Sequence, residues 1–346
     1  MADSSVSIRA ELKRILFIVV VVVFPIIAGV LWWKRHDKAL SDAPPIEIAV
    51  AVHLAEASGQ SIRDATQMRV DELNAAGGVA GRRVQVVVHD DQGKVDKAGD
   101  VAKKVAASGA VAVIGHQYSD MAIGAAEVYA ANKIPLISPA ATNDAVTKGN
   151  PWAFRTIFND TQQGRFLAAY MKHGLGVSRI GFVATEGVYS EHLKRVFLDE
   201  AENHELDSRG GVVLPRDADV SAIKQALEGL LNQESPPEAL FLPLTFTDLG
   251  ARVLRALYEI GFEGPLVATD SLAGEFLFEE IDKVRDPKVE KSDYTRNLMA
   301  AMPLIFDTAN ASAQRFRQNY RDRVGAEPRW EAAFAYDAMD LALAWR

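Results

Sequence analysis

The chain of 346 residues contains no cysteine. That excludes disulfides, thiolate-bound metals, a cysteine nucleophile and lipid attachment through an N-terminal cysteine. It also lacks an excess of positive charge, since 38 Lys and Arg stand against 46 Asp and Glu for a formal net charge of -8. No overall field draws such a molecule to a phosphate backbone, so nucleic acid is not an expected partner. No strand is followed by G-x-G-x-x-G, and there is no P-loop, no G-x-S-x-G and no H-E-x-x-H. The usual signatures of dinucleotide binding, nucleotide hydrolysis, serine-esterase chemistry and zinc proteolysis are therefore missing. We expect no enzyme, no catalytic residues and no cofactor. The trio His89, Asp90 and Asp91 looks superficially metal-like. Neighbours on an extended strand point to opposite faces and cannot easily converge on one ion, so no metal site is expected.

What the chain does have is one long apolar run. Residues 15–33, ILFIVVVVVFPIIAGVLWW, carry no charge and are about as long as the ~20 residues a helix needs to cross a bilayer. Arg9, Lys13 and Arg14 precede the run, while Lys34, Arg35 and Lys38 follow it, and Trp32 and Trp33 fall where an interfacial aromatic belt lies. A cleaved signal peptide has a shorter apolar core followed by small residues. The reading is an N-terminal tail over 1–14, a transmembrane helix over 15–33 that contacts the membrane, and a polar linker over 34–45. Basic residues balance across the helix, so charge alone leaves its orientation open.

Beyond the linker, short β-branched or apolar runs alternate with longer amphipathic ones, the rhythm of a parallel α/β sheet. The expected strands are 46–53, 83–89, 110–115 and 134–138 in one set, and 179–185, 211–214, 238–244 and 265–269 in a second. Between the first two, Ile62, Ala65, Thr66, Val70 and Leu73 recur at helical spacing, and Gly77-Gly78 stops the helix. Residues 152–157 form an extended apolar stretch read as a crossing between lobes. The two strand sets give 46–158 for the first part of lobe 1 and 159–292 for lobe 2.

Several pieces in this order resemble type I periplasmic binding proteins of the branched-chain amino-acid (leucine/isoleucine/valine) class: LNAAGGVAGRRVQVVVHDDQG (73–93), VAVIGHQYSDMA (111–122), IPLISPAATND (134–144), FRTIFNDTQQG (154–164) and AFAYDAMDLALA (333–344). The resemblance implies an α/β fold of two Rossmann-like lobes joined by a hinge, preceded here by the one transmembrane helix, with a small amino-acid-like ligand in the cleft. It also implies that 293–346 return toward lobe 1 and stop at Arg346 before that lobe is complete. By the same resemblance, Ser119, Ala140 and Thr142 meet the ligand's carboxylate, Asp270 its ammonium group, and Tyr189 and Phe246 line the cleft. Each also has an ordinary reading: helix caps for Ser119 and Asp270, a turn for Thr142, and local packing for the two aromatics. The sequence departs from the pattern at 52–60, where the loop looks shortened and Ser58 stands near the place of an aromatic. The implied function is capture of a small polar metabolite by lobe closure for an ABC-type importer, with a permease or membrane sensor as partner. The implied location is a single-pass inner-membrane protein whose binding domain lies in the periplasm or extracellular space. A sensing module of a signalling system, or an interaction domain that has lost small-molecule binding, are the alternatives.

Overall fold

The computed structural model describes residues 40–344. The tail 1–14, the apolar segment 15–33 and linker residues 34–39 lie outside the described residues, and among the described residues no helix is long and apolar enough to cross a membrane.

One sheet takes β1 (Ile46–Val52), β2 (Val84–Asp90), β3 (Ala112–Gly115), β4 (Leu136–Ser138) and β5 (Ala153–Arg155) in the order β2-β1-β3-β4-β5, and the pairs β1/β3, β3/β4 and β4/β5 are parallel. The second takes β6 (Arg179–Thr185), β7 (Asp207–Leu214), β8 (Ala239–Leu242), β9 (Leu266–Ala268) and β10 (Leu298–Ala300) in the order β10-β9-β8-β6-β7, all parallel. Central strands read as continuous apolar runs because helices cover both faces of a parallel sheet. On β8 the alternation is visible: Leu240 and Leu242 enter the core beneath the helices Val220–Leu231 and Thr247–Ile260. Phe241 enters the opposite core and stacks on Phe197 with centroids 3.8 Å apart.

Two segments depart from the strand sets expected from the sequence. Residues 152–157 supply β5, an edge strand of the first sheet, before the chain leaves it. The stretch expected to return to lobe 1 first contributes β10 to the second sheet. Both are three-residue edge strands whose residues are mostly only partly buried, so neither shows the fully buried apolar run that marks the equally short β4 and β9. The return follows: the helix Trp330–Ala344 packs on β3 and β4, and Thr156 Oγ1 donates to the Phe334 carbonyl at 2.9 Å.

The described residues divide into two compact units, a small one of 40–46 with 70–85 and a large one of 47–69 with 86–344. In the small unit the helix that ends at Ala75 is closed by Gly78, whose φ is +69° and whose N–H reaches the Leu73 carbonyl at 2.8 Å. Asn74 then brackets Val84, accepting its N–H and donating to its carbonyl, each at 2.8 Å. The large unit contains the candidate site.

Candidate functional site

The lobe-1 wall is built where β3 and β4 end. Beyond β3, Ser119 opens the helix Ser119–Ala131, which we call α1. Tyr118, not Ser119, holds the cap position. Ser119 Oγ instead accepts the Asn143 N–H at 3.2 Å, which leaves its hydroxyl hydrogen free to donate elsewhere. The first-turn amides of α1 have no acceptor within the helix, as at any helix start, and add a partial positive field. Beyond β4, Ser138 Oγ ties the loop, donating to the His116 carbonyl at 3.0 Å and accepting from the Ala141 amide at 2.9 Å. The Arg155 guanidinium holds the same loop from beneath through the carbonyls of Thr142 at 2.5 Å and Asn143 at 2.8 Å. Thr142 is buried and its Oγ1 makes no hydrogen bond. The Ala140 amide has only a long contact, 3.4 Å to Ser138 Oγ.

The facing wall comes from lobe 2. Asp270 follows β9 and is almost fully buried. Its Oδ1 accepts from Gln163 Nε2 at 2.7 Å and from the Tyr189 hydroxyl at 2.8 Å. Burial pushes its carboxyl above the ordinary range, and those two hydrogen bonds pull against the shift. Tyr189, at the start of the helix Val188–Asn203, thus orients Asp270 while its ring packs in the core. Beside them lies Asp160, wholly buried, with neither carboxylate oxygen in a hydrogen bond of normal geometry. Burial holds its carboxyl well above the usual range. The nearby Thr142 hydroxyl lowers it, and the negative charge of Asp270 raises it. Asp160 and Gln163 are aimed by the capping box of their helix, in which Asn159 accepts the Gln162 N–H at 2.9 Å.

Between the walls is a cavity of 480 Å³, within the range of about 300–1,000 Å³ that holds small ligands. Ser119, Ala140 and Thr142 line it from lobe 1, and Tyr189, Phe246 and Asp270 from lobe 2, so all six residues singled out in the sequence meet in one space. The lobe-1 wall offers donors, namely the Ser119 hydroxyl and the α1 amides; the lobe-2 wall offers the Asp270 carboxylate. Direct contacts join the two sides: Asp120 Oδ1 accepts the Val188 N–H at 2.9 Å, and Asn143 Nδ2 donates to the Val188 carbonyl at 3.0 Å. The trio His89, Asp90 and Asp91 does not converge. Asp91 pairs with His116 at 2.6 Å, while Asp90 accepts the Leu54 and Gln92 amides.

Sequence reasoning passed over Glu56, Gln117, Tyr118, Asp160, Gln163 and Arg216, of which all but Asp160 and Gln163 line the cavity. Asn159 with Gln162 was a legible capping signature that placed Asp160 and Gln163 in a first helical turn. Nothing local marked Arg216, which reaches the site from the turn after β7.

Two parallel α/β lobes with a polar cleft beyond the carboxyl ends of their strands define a class of ligand receptor, and the comparisons specify it. Residues 53–345 match the periplasmic binding protein family, and the chain belongs to that family. It is similar to "Leu/Ile/Val-binding protein homolog 1" of Brucella melitensis, 35% identical over 136 residues, which is 39% of this chain and 37% of that protein. It is likewise similar to the Leu/Ile/Val-binding protein of Escherichia coli K12, 31% identical over 177 residues, 50% of this chain and 48% of that protein. The matched regions thus span less than half the length of these relatives. In fold it resembles a leucine-binding protein from Thermotoga maritima with a TM-score of 0.76 at 24% identity, covering 86% of this chain and 82% of the other.

Proposed function

We propose that the protein is an extracytoplasmic solute receptor, tethered to the inner membrane through residues 15–33, which captures an amino acid or amide-like metabolite by closure of its lobes and hands it to an ABC-type importer. The observation that carries this reading is the polarity of the cavity. Free donors on the lobe-1 wall oppose a buried, pre-oriented carboxylate on the lobe-2 wall. A molecule with a carboxylate at one end and an ammonium group at the other satisfies both walls, and it does so only when the lobes are together. The names of the Brucella and Escherichia relatives support an amino acid as the ligand class. Ser58, in the first turn of the helix that begins at Ala57, lines the cavity and leaves the space open, which favours retained small-molecule binding over a purely structural role.

Isothermal titration of amino acids into wild type, Ser119→Ala and Thr142→Ala tests the reading. A hydrogen bond to a charged group contributes roughly 1.5–3 kcal/mol, so each substitution should weaken binding about tenfold or more. Unchanged affinity in both variants would remove the carboxylate from this wall. The tether predicts that the full-length chain stays with membranes through a high-salt wash. Recovery of a soluble periplasmic chain beginning near Asp42 would contradict it.

A further inference from the structure

The mouth of the cavity is covered by side chains from both lobes. Glu56, just before the helix Ala57–Ala75, takes the Tyr118 hydroxyl on one carboxylate oxygen and the Arg216 guanidinium on the other, the latter at 3.2 Å. Arg216 comes from lobe 2, and its guanidinium lies 3.8 Å above the centre of the Phe246 ring. Tyr118 meets the edge of that ring with centroids 5.7 Å apart. The Arg216 carbonyl accepts from Arg252 at 2.7 Å, which fixes the backbone from which the side chain projects. All four residues line the cavity, whereas residues 52–60, running from the end of β1 into the first turn of the helix Ala57–Ala75, present no ring to it.

We propose that Arg216 is a charged lid residue: on closure its planar cation seats on Phe246 and pairs with Glu56 across the cleft, sealing the ligand beneath it. The inference rests on the cavity being the ligand site, but the lid can be judged with no ligand present. A guanidinium suits the task, because it stacks on an aromatic face and presents N–H groups edgewise to a carboxylate at the same time. With the lobes apart, Glu56 and Arg216 return to water and lose little. The contact is half-exposed, so it forms and breaks at low cost. A lid of this kind governs how quickly ligand leaves more than how quickly it enters.

The absence of cysteine makes the test clean. Asp96→Cys and Glu234→Cys place one spin label on an exposed site of each lobe of the full-length protein in detergent. Distances are then read for wild type, Arg216→Gln, Arg216→Lys, Glu56→Gln and the Glu56→Gln/Arg216→Gln pair. We expect the short-distance population to shrink in Arg216→Gln, to be partly kept in Arg216→Lys, and to fall no further in the double variant than in the worse single one. Release of the best-binding amino acid should quicken by roughly fivefold or more in Arg216→Gln, the size an exposed ion pair and a cation–π contact together allow, with entry little changed. Identical distance distributions in wild type and Arg216→Gln, or fully additive effects of the two substitutions, would overturn the lid. If wild type binds no amino acid while the distances respond as expected, the proposed function fails and the lid stands.

Discussion

Replacing Asp270 by Asn probes the pairing between pocket and ligand with the least disturbance. The carboxylate oxygen that accepts from Gln163 and Tyr189 survives as the amide oxygen, so both hydrogen bonds and the local packing persist. What disappears is a negative charge in an almost dry site. Truncating one partner of a buried charge pair costs roughly 2–5 kcal/mol, and each 1.4 kcal/mol is tenfold, so amino-acid affinity should fall by about thirty- to several-thousand-fold. The empty protein should not be destabilised, because an uncompensated buried carboxylate costs free energy that the amide does not. A matched carboxylic acid without the amine lacks the ammonium partner, so it should lose far less between wild type and variant. Titrating both ligands into both proteins yields a cycle whose coupling isolates the ammonium contact. The pH dependence follows from the raised Asp270 pKa: wild-type affinity should fall with acid before ordinary carboxylates titrate, and the variant should be flat there. Equal weakening of the two ligands would mean that Asp270 meets no ammonium group and serves only the fold.

Other residues give independent tests. Asp160 binds its proton more tightly folded than unfolded, so its ionisation withdraws stability as pH rises from the unfolded pKa toward the raised folded one. Asp160→Asn should therefore melt higher than wild type at neutral pH and lose that advantage in acid; a variant less stable at neutral pH would contradict this. Phe241 is fully buried against Phe197, and Phe241→Ala should cost about 3–5 kcal/mol in chemical denaturation, a loss below 1 kcal/mol being incompatible with the packing described. A methyl group on Gly59 would overlap the His53 carbonyl and press on Gln117, so Gly59→Ala should cost about 1–3 kcal/mol and weaken ligand binding through the displaced cavity wall, both measurable by denaturation with and without ligand.

The α/β alternation and most strands were legible because fully buried parallel strands are near-continuous apolar runs, as at 48–52 and 239–242. β5 and β10 escaped because, unlike the equally short but fully buried β4 and β9, they are edge strands whose residues are mostly only partly buried, and β7 proved longer than 211–214 because its first half, Asp207–Gly210, is polar and largely exposed. The shared cavity of the six candidate residues was legible through motif position, which places a residue at a strand end but does not say what its side chain touches. Ser119 holds a backbone amide in place of capping its own helix, and Tyr189 orients Asp270. The mouth was illegible for a different reason: Glu56 and Arg216 are 160 positions apart, and only the approach of the two lobes makes them neighbours.

Reversible capture of an amino-acid-like solute in this cavity can be read by thermal denaturation of the full-length protein in detergent against a panel of amino acids, their amides and small carboxylic acids. A ligand present at ~100 times its Kd stabilises the folded state by about 2.7 kcal/mol. At least one molecule carrying both carboxylate and ammonium groups should give such a rise, and Asp270→Asn should lose it. No stabilisation by any member at millimolar concentration, or stabilisation that survives Asp270→Asn unchanged, would contradict such capture.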